Sequence, residues 1–571
     1  MTLPELPPPQ MQPLGTSQPP GDKHAVSVSL PTWASVPGRP LGYKWVIEKM
    51  EANYPRMGVN TIVQNLATAV LDRCISPATD RPATECMLFP SRDAARRCVA
   101  YLQEHHEGEV QTDIIYLVYS PKGGVLRTAN ATRGSPPWAQ FHAVIYDTEA
   151  QEQANHFWSI FGDGLSTRHA EFLLTLWPDM SWIRCDARAK CNAPSAFTVA
   201  KNVTNGCPTA RILDCEDQTA KAEIRNRITR LVASENPNIS RPSTSDVFLY
   251  AKGMCAIAAV ARALMPNAEF NNDSSGAVVF GWPYSETPKC VSQTGYDRYT
   301  FYSQGTSEAL DLLEQALSSG RRIRVLFCEI PSNPLLSTPD LHRIRALASK
   351  YDFLVVCDET LGTFVNVDVL PYADIVVTSL TKIFNGAGNA MGGSAVINPH
   401  SRHYDEIHTK LSAIYEDVLF PGDAGVLAQN SRDLTERVHR CNANAFALAT
   451  FLKTQPAIES VLYPPFLPTG NLYERCRRVD GGYGYVLSVI FKNSAHAVQF
   501  YDRLDMCKGP SVGTNFSLAL PYSQLAHVFE LDWAEEQGIP KHIVRFSVGL
   551  EREGDLIACV VKALQGLTDD Q

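Results

Sequence analysis

The sequence has no Cys-x-x-Cys pair, no long apolar run and no surplus of basic charge, and each absence closes off a class of function. Its fifteen cysteines are scattered. The spacings Cys185–Cys191 and Cys207–Cys215 fit a zinc site poorly, so no metal is implied. Cys255, Cys328 and Cys357 lie inside apolar runs, where a cysteine reads as a reduced core thiol, and a reducing compartment follows. The formal net charge of −9 gives no electrostatic footprint for nucleic acid or an anionic membrane. No apolar stretch reaches the roughly 18 residues that span a bilayer. The N-terminus lacks the basic-then-apolar pattern of a secretory signal, and the closing LTDDQ carries no address motif. The expectation is a cytoplasmic protein.

What is present is an ordinary globular composition, 44% hydrophobic and 19% charged. A chain of 571 residues exceeds what one core holds, so several domains are expected. Residues 1–24 are rich in proline and read as a disordered tail. Residues 25–79 read as an arm. In it, HAVSVSLPTW (from His24) is extended, a helix within Lys49–Arg56 is ended by its proline, and a second helix covers Asn60–Cys74. The second helix repeats Ile62, Val63, Leu66, Val70 and Leu71 at helical spacing. Residues 80–235 read as an insertion of unclear role. It shows strands at Ile114–Val118 and Ala143–Tyr146 and a helix at Arg168–Leu176 capped by Ser166. The pair His105-His106 reads as a solvated helix end.

From 236 to 410, apolar strands alternate with amphipathic helices, the signature of a large, mainly parallel α/β sheet. The strands fall at Gly276–Trp282, Ile323–Ile330, Phe353–Cys357 and Ile375–Leu380. The helices fall at Met254–Leu264, Ser307–Leu317 and Thr338–Lys350, the last opened by Thr338-Pro339-Asp340. Residues 411–571 hold a helical run, Leu411–Leu448, that links to a smaller C-terminal α+β domain. Its strands are Tyr485–Phe491 and Val544–Val548, and a helix at Asp555–Leu564 closes it.

The stretch Ala373–Asn398 carries the first chemical signal. A buried strand ends in Ser379-Leu380-Thr381-Lys382, followed by the glycine-rich Gly386–Gly393. Taken alone, Lys382 fits either a surface loop or a Schiff-base lysine whose neighbours Ser379 and Thr381 hold a phosphate. Ligands of an open α/β sheet sit at the carboxyl ends of its strands. Those ends carry Tyr284, Glu329, Asn333, Asp358, Glu359 and Lys382. Asp358 suits a structural cap or ion pair, or a carboxylate that keeps a pyridine nitrogen protonated. Tyr284 suits the core, or a ring stacked on a flat cofactor. Gly253-Met254 opens a helix, where free backbone N–H groups bind phosphate.

Six ordered motifs, GMCAI, PYSET, CEIPSNPLL, VCDET, SLTK and VRFSVGLE, resemble the pyridoxal-phosphate (PLP) enzymes of cysteine and methionine metabolism. The subgroup most resembled is the fungal cystathionine gamma-synthases. They share HAVSVSLPTW, NSRD, GTNFSLALPY, ELDWAEEQG and a long insertion before the GM motif. The resemblance implies fold type I, aspartate aminotransferase-like, with pyridoxal 5'-phosphate as cofactor. Position by position it implies Lys382 as the Schiff-base lysine, Asp358 as partner of the pyridine nitrogen and Tyr284 as the stacking ring. It implies Asn333 as donor to the phenolic oxygen and Gly253, Met254, Ser379 and Thr381 as the phosphate cradle. Tyr54 and Arg56 resemble an arm that enters the neighbouring subunit's site, Arg56 adding a positive charge to the phosphate. A homodimer or homotetramer with shared sites would follow. Arg545 resembles the arginine that grips the substrate carboxylate, with Ser511 beside it at the pocket mouth.

The implied reaction is γ-replacement on an O-acyl-L-homoserine, with L-cysteine giving cystathionine in trans-sulfuration. The alternatives are the same chemistry with a carbon or nitrogen nucleophile in fungal secondary metabolism, a C–S lyase, and a cofactor-free binding homologue. The chain departs from its relatives at Asn385–Asn389, where Ala387 and Gly388 replace larger residues, and at Ala428. Novelty in substrate is expected there. Lys252 replaces the usual small hydroxyl residue before the GM pair, and reads either as a phosphate contact or as a solvent-facing side chain.

Overall fold

The computed structural model describes residues 6–75, 84–120, 124–125, 138–185, 208–266 and 276–567. Cys191 and Cys207 lie outside them. The central sheet has seven strands. Their order is Arg298–Tyr302, Gly276–Phe280, Val325–Glu329, Leu354–Asp358, Ile375–Thr378, Gly393–Ile397 and Val247–Tyr250. Pairings up to Ile375–Thr378 are parallel, and Gly393–Ile397 runs antiparallel to both of its neighbours. The inner strands are buried along their whole length and apolar up to a polar residue near the carboxyl end, because helices cover both faces. This is the expected mainly parallel α/β frame. Each of the four strands read from sequence is present with slightly shifted ends. Val247–Tyr250, Arg298–Tyr302 and Gly393–Ile397 are additional. The helix expected at Thr338 starts later, at Leu341, because the Asp340 carboxylate accepts from Arg343 N at 3.0 Å and makes the cap.

The insertion is a folded unit with its own five-stranded sheet. Its strands Thr84–Phe89, Gln140–Asp147, Thr112–Tyr119 and Met180–Cys185 pair antiparallel. The period-two alternation divides its side chains between two cores. Ile114, Tyr116, Val144 and Tyr146 share a core with Cys255, Ile257 and Val260 of the large domain. Ile115, Leu117, Ala143 and Ile145 pack instead on Val63, Leu66 and Val70 of the helix Thr61–Cys74. That helix therefore belongs with the insertion rather than with the arm that precedes it. The cap of Arg168–Leu176 is where the sequence puts it: Ser166 Oγ accepts from His169 N at 3.2 Å.

The smaller domain is built on a second five-stranded sheet, ordered Ile458–Leu462, Val486–Phe491, Val544–Ser547, Leu518–Pro521 and Cys507–Lys508. The helical run before it is three helices, Tyr404–Ile414, Pro421–Asn430 and Leu434–Lys453, not one. Phe420, preceding a proline, takes an extended conformation and resets the chain. Among the described residues no helix is long and apolar enough to cross a membrane.

Two expectations for the N-terminus are corrected. Described residues from 6 to 24 are not a loose tail. Ser17–Gln18 pairs with Ser27–Val28, and Met11 N donates to Asp505 at 2.9 Å. Proline favours extended chain that needs few backbone partners, and here the small domain supplies them. No helix forms over 49–54. The helix is earlier and shorter, Lys44–Ile47, and the chain from 50 to 60 is irregular. That irregular stretch carries Tyr54 and Arg56.

Candidate active site

Every site residue carried over from the sequence borders one cavity of about 960 Å³, solvent at its mouth included. It lies at the carboxyl ends of the parallel strands, where the fold predicts it. The strand Leu354–Asp358 delivers Asp358, and the turn after Ile375–Thr378 delivers Lys382. Thr360 donates to Asp358 Oδ1 twice, from N at 2.9 Å and from Oγ1 at 2.6 Å. Oδ2 is left for a pocket ligand. Burial pushes the Asp358 carboxyl up to about 6, against those two hydrogen bonds. Ser379 N donates to Thr360 Oγ1 at 2.9 Å, so one threonine joins both strand ends.

Lys382 Nζ donates to Tyr54 Oη at 3.0 Å and to Ser511 Oγ at 3.4 Å. Burial pushes the Tyr54 phenol up, but the charges of Lys382 and Arg56 and hydrogen bonds from Lys382 and Tyr284 outweigh it and hold the phenol at about 8. Arg545 donates to Asn333 Oδ1 at 3.0 Å and to Ser511 O at 3.2 Å. It thereby orients two other pocket residues. Glu329 accepts from Tyr284 N at 2.6 Å and fixes the backbone that carries the ring. Burial, then the nearby Asp358, drives the Glu329 carboxyl well above its ordinary range.

Gly253 opens the helix Gly253–Ala263 against the Lys382 turn. A Cβ there would stand 2.7 Å from Ser379 Cβ, so only glycine allows the approach. The free N–H groups of that helix start, the Ser379 hydroxyl and Met254 surround one end of the cavity. Thr381 is more committed than expected: its Oγ1 accepts from Gly392 N at 3.1 Å and donates to Gly392 O at 3.3 Å.

Two family models match this chain. One, described as Cys/Met metabolism PLP-dependent enzyme, covers residues 241–565, and the other, the N-terminal domain of fungal trans-sulfuration enzymes, covers 62–166. The chain belongs to the Cys/Met metabolism family of PLP-dependent enzymes. Its cofactor is pyridoxal 5'-phosphate. It is 48% identical to the cystathionine gamma-synthase-like protein ankD of Aspergillus thermomutatus, over 97% of this chain and 94% of that one. It is 35% identical to the cystathionine gamma-synthase of Neurospora crassa, over 97% and 98%. The fold matches a solved cystathionine gamma-lyase of Lactobacillus plantarum in complex with L-serine. The TM-score is 0.51 and the identity 22%, over 61% of this chain and 86% of that one.

The pocket fits this cofactor. Asp358 keeps one oxygen free, glycine opens the helix start, and an amine stands beyond the buried strand. Three further features of the site bear on what the resemblance implied. Within the single chain described, Tyr54 and Arg56 border the same cavity as Lys382. The insertion holds them there, through Trp158 Nε1 donating to Pro55 O at 2.8 Å. Arg56 donates to Ser285 Oγ at 2.6 Å and pairs with buried Glu286 at 3.4 Å, so its charge is already matched. Residues 385–389 and Ala428 do not border the cavity. That loop clamps the N-terminal strand instead: Val26 N donates to Gly388 O at 2.9 Å, and Asn389 Nδ2 donates to Asp22 at 3.0 Å. The sequence missed Trp158, Ser159 and Gly162, which the insertion brings to the cavity wall. No motif marks them, since only the packing of the insertion places them there.

Proposed function

We propose that the chain catalyses γ-replacement on an O-acyl-L-homoserine, with L-cysteine as nucleophile and cystathionine as product. The observation that carries the reading is the setting of Lys382 Nζ, 3.0 Å from Tyr54 Oη and 3.4 Å from Ser511 Oγ, in a cavity that Arg545 also borders. Bound pyridoxal 5'-phosphate supplies the electron sink that makes the substrate Cα–H acidic. γ-Replacement then needs one base that serves Cα and Cβ in turn. An amine on a flexible stem suits that task. Lys382 takes the Cα proton and moves protons at Cβ, and Tyr54 exchanges a proton with Nζ. Arg545 grips the α-carboxylate with its planar fork, and Asp358 holds a proton at the ring nitrogen. The Cγ–O bond breaks with loss of the acyl carboxylate. The Cγ–S bond forms, and the thiol proton leaves to the site base.

Support comes from 35% identity to the Neurospora crassa synthase over nearly the whole chain. A second reading keeps the first half of this chemistry and uses a carbon or nitrogen nucleophile. It is favoured by the greater identity, 48%, to a protein named only as synthase-like. One assay separates them: O-acetyl- and O-succinylhomoserine offered with cysteine and with a panel of other nucleophiles. Cystathionine is expected. Consumption of the ester by another acceptor, with no cystathionine, overturns the first reading. Lys382→Ala is expected to abolish turnover and the visible absorbance of the bound cofactor.

A further inference from the structure

Lys252 is 7% exposed, and its Nζ has no hydrogen-bond partner. It directly precedes the helix Gly253–Ala263 and borders the cofactor cavity. The solvent-facing reading of this residue is therefore wrong. Its Nζ stands 3.7 Å from the centroid of the Trp158 ring, on the wall that the insertion builds. The ionisable groups that face it are Cys255, Asp163 and Asp423. Burial pushes the Cys255 thiol up to about 12, so it carries no charge. Both acids are already paired with arginines of the insertion, Asp163 with Arg97 at 2.8 Å and Asp423 with Arg168 at 3.0 Å. Lys252 thus has no dedicated counter-ion. A buried cation without an anion is costly, and a bound anion removes that cost. Burial lowers the Lys252 ammonium to about 8, with Cys255, Asp163 and Asp423 acting in the opposite direction.

We propose that Lys252 supplies a cation to the phosphate cradle. Seated on Trp158, it meets the 5'-phosphate of the cofactor beside the N–H groups that open Gly253–Ala263. Lys252 would act beside Arg56, which borders the same cavity. This role rests on the reading of that helix start and Ser379 as the cradle. It also gives the insertion a role, since Trp158 presents the lysine while Arg97 and Arg168 neutralise the acids that would otherwise hold it.

The test uses the full chain stripped of cofactor, with binding followed by tryptophan fluorescence and thermal shift. The probes are pyridoxal 5'-phosphate, pyridoxal and inorganic phosphate. Lys252→Met is expected to weaken both phosphate-bearing probes by about 10- to 100-fold and to leave pyridoxal unchanged. Lys252→Arg, which keeps the charge, is expected to retain most of the affinity. Equal loss of pyridoxal and its phosphate in Lys252→Met would mean a merely structural lysine and would overturn the proposal. So would unchanged phosphate affinity. Ser379→Ala separates the two levels. If it weakens phosphate binding while Lys252→Met does not, the cradle stands and Lys252 is not part of it. If neither variant has an effect, the cradle reading falls as well.

Discussion

Tyr54 Oη stands 3.0 Å from Lys382 Nζ, although 328 residues of chain separate them. The contact joins a proline-bounded, irregular stretch of the arm to the turn after a buried strand.

The first prediction concerns that phenol. Its ordinary value is 10, and the site holds it at about 8. It is therefore ionised above about pH 8 and protonated below. If Tyr54 exchanges protons with Lys382, turnover should rise as pH passes through about 8 and then level. Tyr54→Phe should lose that limb and about 10²- to 10⁴-fold in rate. A pH–rate profile of both proteins measures it.

The second concerns which chain supplies the arm. If each site takes its tyrosine and lysine from one chain, Tyr54→Phe and Lys382→Ala, unfolded together and refolded as a mixture, should recover no activity. Recovery toward a quarter of the native rate would place the arm in the neighbouring subunit.

The third concerns Asp358, raised by burial from 3.8 to about 6. A carboxyl raised in the folded state gives stability that is fully present below about pH 4 and is lost as pH rises through 6. Above that range the cofactor-free protein carries a buried, ionised Asp358 at a cost of about 3 kcal/mol. Asp358→Asn should therefore stabilise the cofactor-free chain at pH 7.5 by up to that amount and weaken cofactor binding. Urea unfolding with and without cofactor reads both effects.

The fourth concerns Arg545. Arg545→Lys keeps the charge but loses the planar fork and the bonds to Asn333 and Ser511. The KM for the amino-acid substrates should rise by about 10- to 100-fold, with a smaller change in kcat. Steady-state kinetics over both substrates separates the two.

The central sheet was legible because its strands are uniform apolar runs with polar residues at their ends. Glu329, Asp358 and Lys382 are visible in the sequence for the same reason that they face the cavity. The insertion was legible only in part. Its strands Thr112–Tyr119 and Gln140–Asp147 and the Ser166-capped helix were read, but its sheet buries both faces, Ile114 and Tyr116 in one core and Ile115 and Leu117 in another, so no polar alternation marks how it packs. The arm was misread as helix because Lys49–Tyr54 has helix-forming composition, whereas its backbone is held by partners distant in sequence. The loop 385–389 bonds to Asp22 and Val26, partners that the chain order hides.

The sequence by itself determined the family chemistry. The buried strand end left Lys382 open between a surface loop and a Schiff-base lysine, because a buried parallel strand exposes polar groups at its end whatever their role. Six ordered motifs gave it the second role, and the structure adds its neighbours. Which residues surround its amine, and which cation is left without a counter-ion, were decided only by tertiary structure. Both depend on the insertion folding back onto the large domain, where Trp158 fixes the arm and Arg97 and Arg168 take the acids that face Lys252.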